Sequence, residues 1–214
     1  MTETELRQEI VAVAQAIDRA GFCPSKSGNV SARFGDGLLI TPSGLPYAQT
    51  KPEDLIHLGL DGTVLGGNRK PSSEWPFHVA IYRARPDAQA IVHTHSPRAT
   101  ALSCTRRGIP AFHYMIALCG GSDVRCAAYA TFGTSELADN AVKALEGRKA
   151  VLLANHGVIA LGQTLAGAHT IVAEVENLAG QYLDILAAGI EPVILDAAEM
   201  ERVGAKFAGY GKVG

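Results

Sequence analysis

Apolar residues recur along this chain with two periods, and each period predicts a different element. Leu6, Ile10 and Ile17 follow a three-to-four-residue spacing, which predicts an amphipathic helix over 2–20 that Gly21 ends. The same spacing, with serine, threonine or aspartate at the starts, predicts helices over 71–85, from 96 onward, over 134–147, over 164–189 and from 196 onward.

Shorter apolar runs predict strands. They lie over 29–33, 38–40, 55–60 and 90–95, and a longer run over 149–161 is interrupted by Asn155-His156-Gly157. Residues 109–129 predict loop and short strand, and 51–54 a short helical turn. Because the early strands form hairpins and the helices follow irregularly, we predict an α/β domain whose mixed, largely antiparallel central sheet is covered by helices. We place this single domain over 1–214.

Composition limits the kinds of molecule that this protein is expected to bind and the cell compartment in which it is expected to lie. The chain has 214 residues, of which 47% are hydrophobic and 19% charged, with a net charge of -2. This balance gives no electrostatic reason to expect nucleic acid or an anionic membrane as a partner. The N-terminus carries no apparent signal peptide and no apolar run reaches membrane-spanning length. We therefore predict a cytoplasmic protein.

The four cysteines are Cys23, Cys104, Cys119 and Cys126, and none forms a CxxC pair. A chain of this length needs no disulfides, which favours reduced thiols. Metal ligation by Cys119 and Cys126 stays open, although their spacing does not favour it.

Two histidines on one predicted strand indicate a metal site. His93 and His95 are two residues apart, so on an extended strand their rings point to the same face. Two imidazoles do not close a zinc site, and His156, in an apolar run and followed by Gly157, is the best third ligand. A buried strand histidine is more often a hydrogen-bonded core residue, but the existing pair favours ligation. Three imidazoles would leave a position open for a substrate oxygen.

Glu74 is the carboxylate that the sequence places at a helix start. It could simply favour the helix dipole, or it could act as a general base or a displaceable fourth ligand. The serines that precede it, Ser72 and Ser73, favour a functional role.

Three loops offer free amides and hydroxyl groups to an anion. Ser72-Ser73 lies at the predicted helix N-terminus, a favourable place for a phosphate. Gly28-Asn29 and Ser43-Gly44 are two further loops of this kind. Each alone is an ordinary turn, but three of them beside a metal site predict a phosphate-binding pocket.

The remaining histidines predict no chemistry. His57, His78 and His169 lie on predicted strands or helices without evident partners, so we interpret them as structural or surface residues. His113, beside Tyr114, stays undecided.

Five segments in this order resemble the class II aldolase/adducin family. They are Ser27-Gly28-Asn29-Val30-Ser31, Ile40-Thr41-Pro42-Ser43-Gly44, Pro71-Ser72-Ser73-Glu74-Trp75, His93-Thr94-His95 and Asn155-His156-Gly157. Residues 113–117, 129–134 and Tyr210-Gly211 resemble its branch of ketose 1-phosphate aldolases. Any one segment is a weak signal, whereas five at compatible spacing are a strong one.

The resemblance implies a lyase that cleaves a ketose 1-phosphate, of the L-fuculose 1-phosphate type, reversibly to dihydroxyacetone phosphate and a short aldehyde. It implies one Zn²⁺ per subunit, with Mn²⁺ or Co²⁺ as alternatives, bound by Glu74, His93, His95 and His156. It implies catalytic roles for Glu74, Tyr114 and Tyr210. It implies phosphate binding by Gly28, Asn29, Ser43, Gly44, Ser72 and Ser73.

The resemblance also implies a homotetramer in which Tyr114 reaches a neighbouring subunit's site, while Phe132 and Tyr210 shape the aldehyde end. Lys26 departs from the pattern, because it stands where that branch has a small hydroxyl residue.

Three alternatives stay open. One is an aldolase for 5-deoxyribulose 1-phosphate or 5-methylthioribulose 1-phosphate, and another is a pentulose-phosphate 4-epimerase or a decarboxylase on the same scaffold. The third is a non-catalytic binding domain.

Overall fold

The computed structural model describes residues 1–209, and within them eight strands form one sheet. The strands are β1 Asn29–Phe34, β2 Gly37–Ile40, β3 Ile56–Gly59, β4 Val64–Gly66, β5 Ala90–Thr94, β6 Arg125–Ala127, β7 Ala150–Leu153 and β8 Gly157–Gly162. Their order across the sheet is β4-β3-β2-β1-β5-β8-β7-β6. The β6–β7 pair is parallel and the other pairs are antiparallel, so the predicted sheet is confirmed.

Helices cover both faces of this sheet. They are α1 Glu3–Arg19, α2 Trp75–Ala84, α3 Pro97–Ser103, α4 Ser135–Ala144, α5 Leu165–Ala187 and α6 Ala197–Gly209. Short 3-10 helices span Pro24–Lys26, Tyr47–Gln49, Pro52–Asp54 and Tyr114–Cys119. None of the helices in the described part of the chain is long and apolar enough to cross a membrane.

Strand alternation divides the buried side chains into two cores. Val92 on β5 packs with apolar residues of α1, α3 and α5, whereas its neighbour Ile91 packs with those of α2 and α4. The two faces follow from the two-residue side-chain period of a strand. His93 lies on the same face as Ile91, toward α2.

The predicted starts of α1, α4 and α5 are confirmed, because Thr2, Thr134 and Thr164 cap them through their side chains. The α4 helix ends at Ala144, three residues before the predicted end at Gly147.

The predicted start of α2 is wrong. Ser72 does not cap it: its Oγ accepts a hydrogen bond from the Glu74 amide, which closes a separate turn, and Glu74 itself occupies the N-cap position. Pro76 then falls at the second helical position, where its missing amide proton costs no hydrogen bond.

The run over 149–161 is not one strand. It is the β7–β8 hairpin, and His156 lies in the turn rather than on a strand. The sequence analysis did not predict the short edge strand β4, whose Val64 and Leu65 are exposed.

Candidate metal centre

Four side chains from separate parts of the fold converge on one point. His93 is the next-to-last residue of β5, His95 follows the end of that strand directly, His156 lies in the β7–β8 turn and Glu74 lies at the N-cap position of α2. Their nearest nitrogen and oxygen atoms all lie within 4.8 Å of one another. Nε2 of His93 lies 3.1 Å from Nε2 of His95 and 3.1 Å from Oε2 of Glu74, and Nε2 of His156 lies 3.0 Å from Oε1 of Glu74.

Backbone hydrogen bonds hold the turn that presents His156. Asn155 has a φ of +55°, in the left-handed region that asparagine tolerates better than most residues. The amide of Asn155 donates to the Ser103 carbonyl, and the amide of His156 donates to Ser103 Oγ. Helix α3 therefore fixes this turn relative to the strands.

Gly157 lets the two histidine-bearing segments approach. A Cβ atom there would lie 2.4 Å from the Thr94 carbonyl oxygen, 3.2 Å from the His95 ring and 3.4 Å from the His93 ring. Any side chain at this position would displace the 93–95 segment, which carries two of the imidazoles. The same close approach requires glycine at position 28, whose φ is +96° and whose Cβ would lie 2.7 Å from the His93 carbonyl oxygen.

The hydrogen bonds around His93 test whether this cluster fits a cation. Nδ1 of His93 contacts the Val158 carbonyl oxygen at 2.9 Å, and because a carbonyl can only accept, Nδ1 carries the proton. In the neutral ring, Nε2 therefore presents a lone pair toward the Glu74 carboxylate and the His95 nitrogen. Such acceptors repel one another unless a cation lies among them, and a carbonyl behind the ring is the usual support of a metal-binding histidine. The donor set of imidazole nitrogens and a carboxylate fits a divalent ion such as zinc.

Burial and mutual proximity shift the pKa values of His95 and Glu74. Burial lowers the pKa of His95 to about 3. The neighbouring His93 and His156 also lower this pKa, whereas Glu74 raises it. Burial raises the pKa of Glu74, but His93 and His156 outweigh it, so this pKa lies below its ordinary value. At neutral pH, the His95 ring is neutral and the Glu74 carboxylate ionised.

A cavity of about 290 Å³ opens onto the cluster. It is lined by Ser27, Gly28, Ser73, Glu74, His95, Tyr129, Ala130, Phe132, Asn155 and His156. Three of the four metal-ligand candidates, Glu74, His95 and His156, line it, together with Tyr129 and Phe132, which are 51% and 65% exposed. A larger cavity of about 850 Å³, beside α6, contains none of the four candidates.

The structure brings the three predicted phosphate loops together. Thr41 joins them, because its Oγ1 accepts from the Val30 amide and its carbonyl oxygen from the Ser72 amide. Ser43, whose amide donates to the Lys70 carbonyl, and Gly44 lie exposed in the loop that follows Thr41.

Among the six residues predicted to bind phosphate, Gly28 and Ser73 line the cavity. Ser72 is buried with its Oγ against the Glu74 amide. Asn29 is 2% exposed, and its side-chain amide donates to Glu74 Oε2 at 3.0 Å.

Of the two predicted tyrosines, Tyr114 does not line this cavity. Tyr114 is 49% exposed and stacks on Phe207, with the ring centroids 6.3 Å apart. Tyr210 lies outside the described residues. Lys26 is exposed, with a φ of +66°, in the loop that leads into the cavity at Ser27.

The interpretation of His78 as a residue without partners is wrong. It is fully buried on α2, and its ring nitrogens contact Ser31 Oγ and Asn29 Oδ1. Two spacings could have revealed this: His78 follows Glu74 by four residues on a helix, and Ser31 follows Asn29 by two on a strand. His57 packs against Phe34 away from the cluster, and His113 Nδ1 accepts from the Met115 amide.

The cysteines do not join the metal cluster in the described part of the chain. Burial raises the pKa of Cys119 to about 12 and that of Cys126 to about 11, so both thiols keep their protons at neutral pH. A protonated thiol is a poor ligand. All four cysteines are free thiols.

Comparison with known proteins identifies the family. The family model described as the Class II Aldolase and Adducin N-terminal domain matches residues 8–183. The chain belongs to the class II aldolase and adducin family. The match bears out the resemblance read from the five segments, while the domain range 1–214 stays a prediction.

Several members of this family resemble the chain over nearly its whole length. A 5-methylthioribulose-1-phosphate/5-deoxyribulose-1-phosphate aldolase of Rhodospirillum rubrum is 52% identical over 96% of this chain and 92% of its own. The L-fuculose phosphate aldolase of Escherichia coli is 43% identical over 99% of this chain and 98% of its own. A solved structure of L-fuculose 1-phosphate aldolase, also 43% identical, superposes with a TM-score of 0.93 over 97% of this chain and 98% of its own. The protein is thus a class II sugar-phosphate aldolase, and its His/Glu cluster is a candidate metal site.

Proposed function

We propose that this class II aldolase cleaves a ketose 1-phosphate reversibly between C3 and C4, giving dihydroxyacetone phosphate and a short aldehyde. The observation that carries the proposal is the convergence of three imidazoles and Glu74 on one point, beside a cavity that Gly28 and Ser73 also line. Cleavage of that bond requires negative charge to be stabilised on the departing triose phosphate. No lysine Schiff base is needed if a cation stabilises it.

His93, His95, His156 and Glu74 would hold the ion, which we propose to be Zn²⁺, with Mn²⁺ or Co²⁺ as alternatives. A divalent ion bound there supplies Lewis-acid stabilisation of the charge that develops as the bond breaks. The three imidazoles would hold the ion without help from Glu74.

Glu74 would exchange the C3 proton with the substrate. In the synthetic direction it accepts the C3 proton of dihydroxyacetone phosphate. In the cleavage direction it would first take up a proton from solvent and then deliver it to C3, while the C4 hydroxyl gives up its own proton. Its ionised state at neutral pH suits the synthetic direction.

A tyrosine hydroxyl would serve the C4 oxygen as acid or base, and we assign this role to Tyr114 of a neighbouring subunit and to Tyr210. Tyr114 is exposed and does not line the cavity of its own subunit, so it is available to another copy of the chain. A cytoplasmic homotetramer with sites at its subunit interfaces is part of the same proposal. The free cysteines suit a reducing compartment.

The phosphate would bind among Gly28, Asn29, Ser43, Gly44, Ser72 and Ser73. The N-terminus of α2 contributes the positive end of the helix dipole. The Asn29 side-chain amide has two N–H bonds, of which one donates to Glu74, and we assign the other to the phosphate. Binding the phosphate away from the bond that breaks orients the reacting carbons over Glu74.

The cavity edge favours an aldehyde with an apolar end. Tyr129, Ala130 and Phe132 border the opening with largely apolar surface, and they would face the part of the substrate remote from the phosphate. L-Fuculose 1-phosphate and the 5-deoxy and 5-methylthio pentulose phosphates all end in a methyl or methylthio group. The 52% identity to an aldolase named for the two pentulose phosphates makes them the second candidate substrates.

Product analysis tests this proposal. We expect dihydroxyacetone phosphate from at least one of L-fuculose 1-phosphate, 5-deoxyribulose 1-phosphate and 5-methylthioribulose 1-phosphate, detected by NADH oxidation with glycerol 3-phosphate dehydrogenase. L-Ribulose 5-phosphate is the control substrate and should give no triose phosphate. If no ketose 1-phosphate is cleaved while L-ribulose 5-phosphate is epimerised, the protein is a 4-epimerase and the aldolase proposal is wrong.

A further inference from the structure

Four buried polar side chains extend from Glu74 into the core in a single hydrogen-bonded row. Asn29 Nδ2 lies 3.0 Å from Glu74 Oε2, and Asn29 Oδ1 lies 2.5 Å from His78 Nε2. His78 Nδ1 lies 2.7 Å from Ser31 Oγ, which lies 2.9 Å from the hydroxyl of Tyr82. Each of these four residues is at most 2% exposed, so water does not compete for their hydrogen bonds.

The carboxylate fixes the direction of every hydrogen bond in the row. An ionised carboxylate only accepts, so the Asn29 amide must turn its NH₂ toward Glu74 and its oxygen toward His78. His78 Nε2 must then carry a proton and donate it. Burial lowers the pKa of His78 to about 3; His93 also lowers it, whereas Glu74 raises it. The ring is therefore neutral, and its Nδ1 accepts a hydrogen bond from the Ser31 hydroxyl. Ser31 in turn accepts from Tyr82.

The row makes the two oxygens of Glu74 different. Oε2 is held by the Asn29 amide. Oε1 faces His156 Nε2 at 3.0 Å, and apart from that nitrogen no hydrogen-bond donor reaches it among the described residues. An oxygen that already accepts a fixed hydrogen bond is the poorer base of the two.

We propose that His78 is a positioning residue, which through Asn29 anchors Oε2 of Glu74 and leaves Oε1 as the oxygen that exchanges the substrate proton. This inference rests on the aldolase function proposed above. His78 does not touch the cavity, so it would act on the orientation of the carboxylate rather than on the substrate. The alternative is a purely structural role, in which the row only provides hydrogen-bond partners for polar groups buried between α2 and β1.

The protonation of His78 tests the row without reference to activity. In zinc-loaded protein with ¹⁵N-labelled histidine, two-bond ¹H–¹⁵N spectra at pH 7 should show His78 protonated at Nε2 and unprotonated at Nδ1. The signal is assigned by its absence in His78→Gln. A ring protonated at Nδ1 alone would require the Asn29 side-chain amide to be turned the other way. A ring protonated at both nitrogens would carry a positive charge, and either finding would overturn the inference.

A matched pair of amide variants tests the functional consequence. His78→Gln can place an NH₂ near the position of Nε2 and still donate to Asn29, whereas the shorter His78→Asn reaches only the position of Nδ1. We expect His78→Asn to lower kcat by about 10–100-fold, as loss of a supporting partner does, with KM and zinc content unchanged. His78→Gln should retain kcat close to wild type.

Equal kcat values for the two variants, or a loss of kcat that follows loss of zinc, would show a structural role and contradict the inference. The two proposals fail separately. If the wild-type protein releases no dihydroxyacetone phosphate, the proposed function fails, while the NMR result still decides whether the row has the stated direction.

Discussion

Replacing Glu74 with glutamine is expected to lower kcat for ketose 1-phosphate cleavage by about 10²–10⁴-fold, the usual contribution of a general acid–base. The amide has nearly the same shape as the carboxylate, but it cannot carry a proton to or from C3. Zinc content should stay near one ion per subunit, because three imidazoles still bind it. The loss should therefore appear in turnover and not in metal occupancy.

The measurement pairs a steady-state assay of dihydroxyacetone phosphate release with metal analysis of the same sample. Glu53→Gln, which removes an exposed carboxylate far along the chain from the cluster, is the matched control and should leave both values unchanged. Wild-type turnover in Glu74→Gln with full zinc would show that another group carries the proton.

Replacing His156 with alanine is expected to remove the metal and, with it, the activity. His156 is the one imidazole that the β7–β8 turn contributes, and its Nε2 lies 3.0 Å from Glu74 Oε1. Loss of a direct ligand should weaken metal affinity by more than the roughly 10–100-fold that loss of a supporting partner costs. Zinc content after dialysis against a weak chelator, measured by plasma mass spectrometry, is the readout.

His169→Ala is the control for this variant, because it removes a half-buried imidazole of α5 that belongs neither to the cluster nor to the cavity. It should keep zinc and activity. Full zinc retention by His156→Ala would leave His156 outside the coordination sphere and would return it to the role of a core histidine.

The local patterns that define the metal cluster could be predicted from the sequence because they depend on short spacings. The two-residue separation of His93 and His95 points both side chains to one side of an extended segment, and this holds although β5 ends at Thr94, between them. His156 could be predicted as a third candidate but not as a turn residue. An apolar run interrupted by Asn155 and Gly157 is compatible with either a bulged strand or a hairpin.

The arrangement behind Glu74 could not be predicted from spacing alone. His78 shares a helix face with Glu74, but its contact with Asn29 depends on how α2 packs against β1, which is a long-range pairing. The same applies to Asn29, whose loop position predicted a phosphate contact and whose amide is also bonded to Glu74. Ser72 shows the opposite case, because a residue type that favours N-caps here closes the preceding turn.

Anomalous diffraction recorded above and below the zinc absorption edge, on crystals of the protein purified without chelators, tests the metal centre most directly. We expect one zinc-specific peak within about 2.0–2.2 Å of Nε2 of His93, His95 and His156, with an oxygen of Glu74 as the fourth ligand when no substrate is bound. A zinc-loaded crystal whose peaks lie elsewhere, with these three rings hydrogen-bonded only to one another and to Glu74, would contradict it.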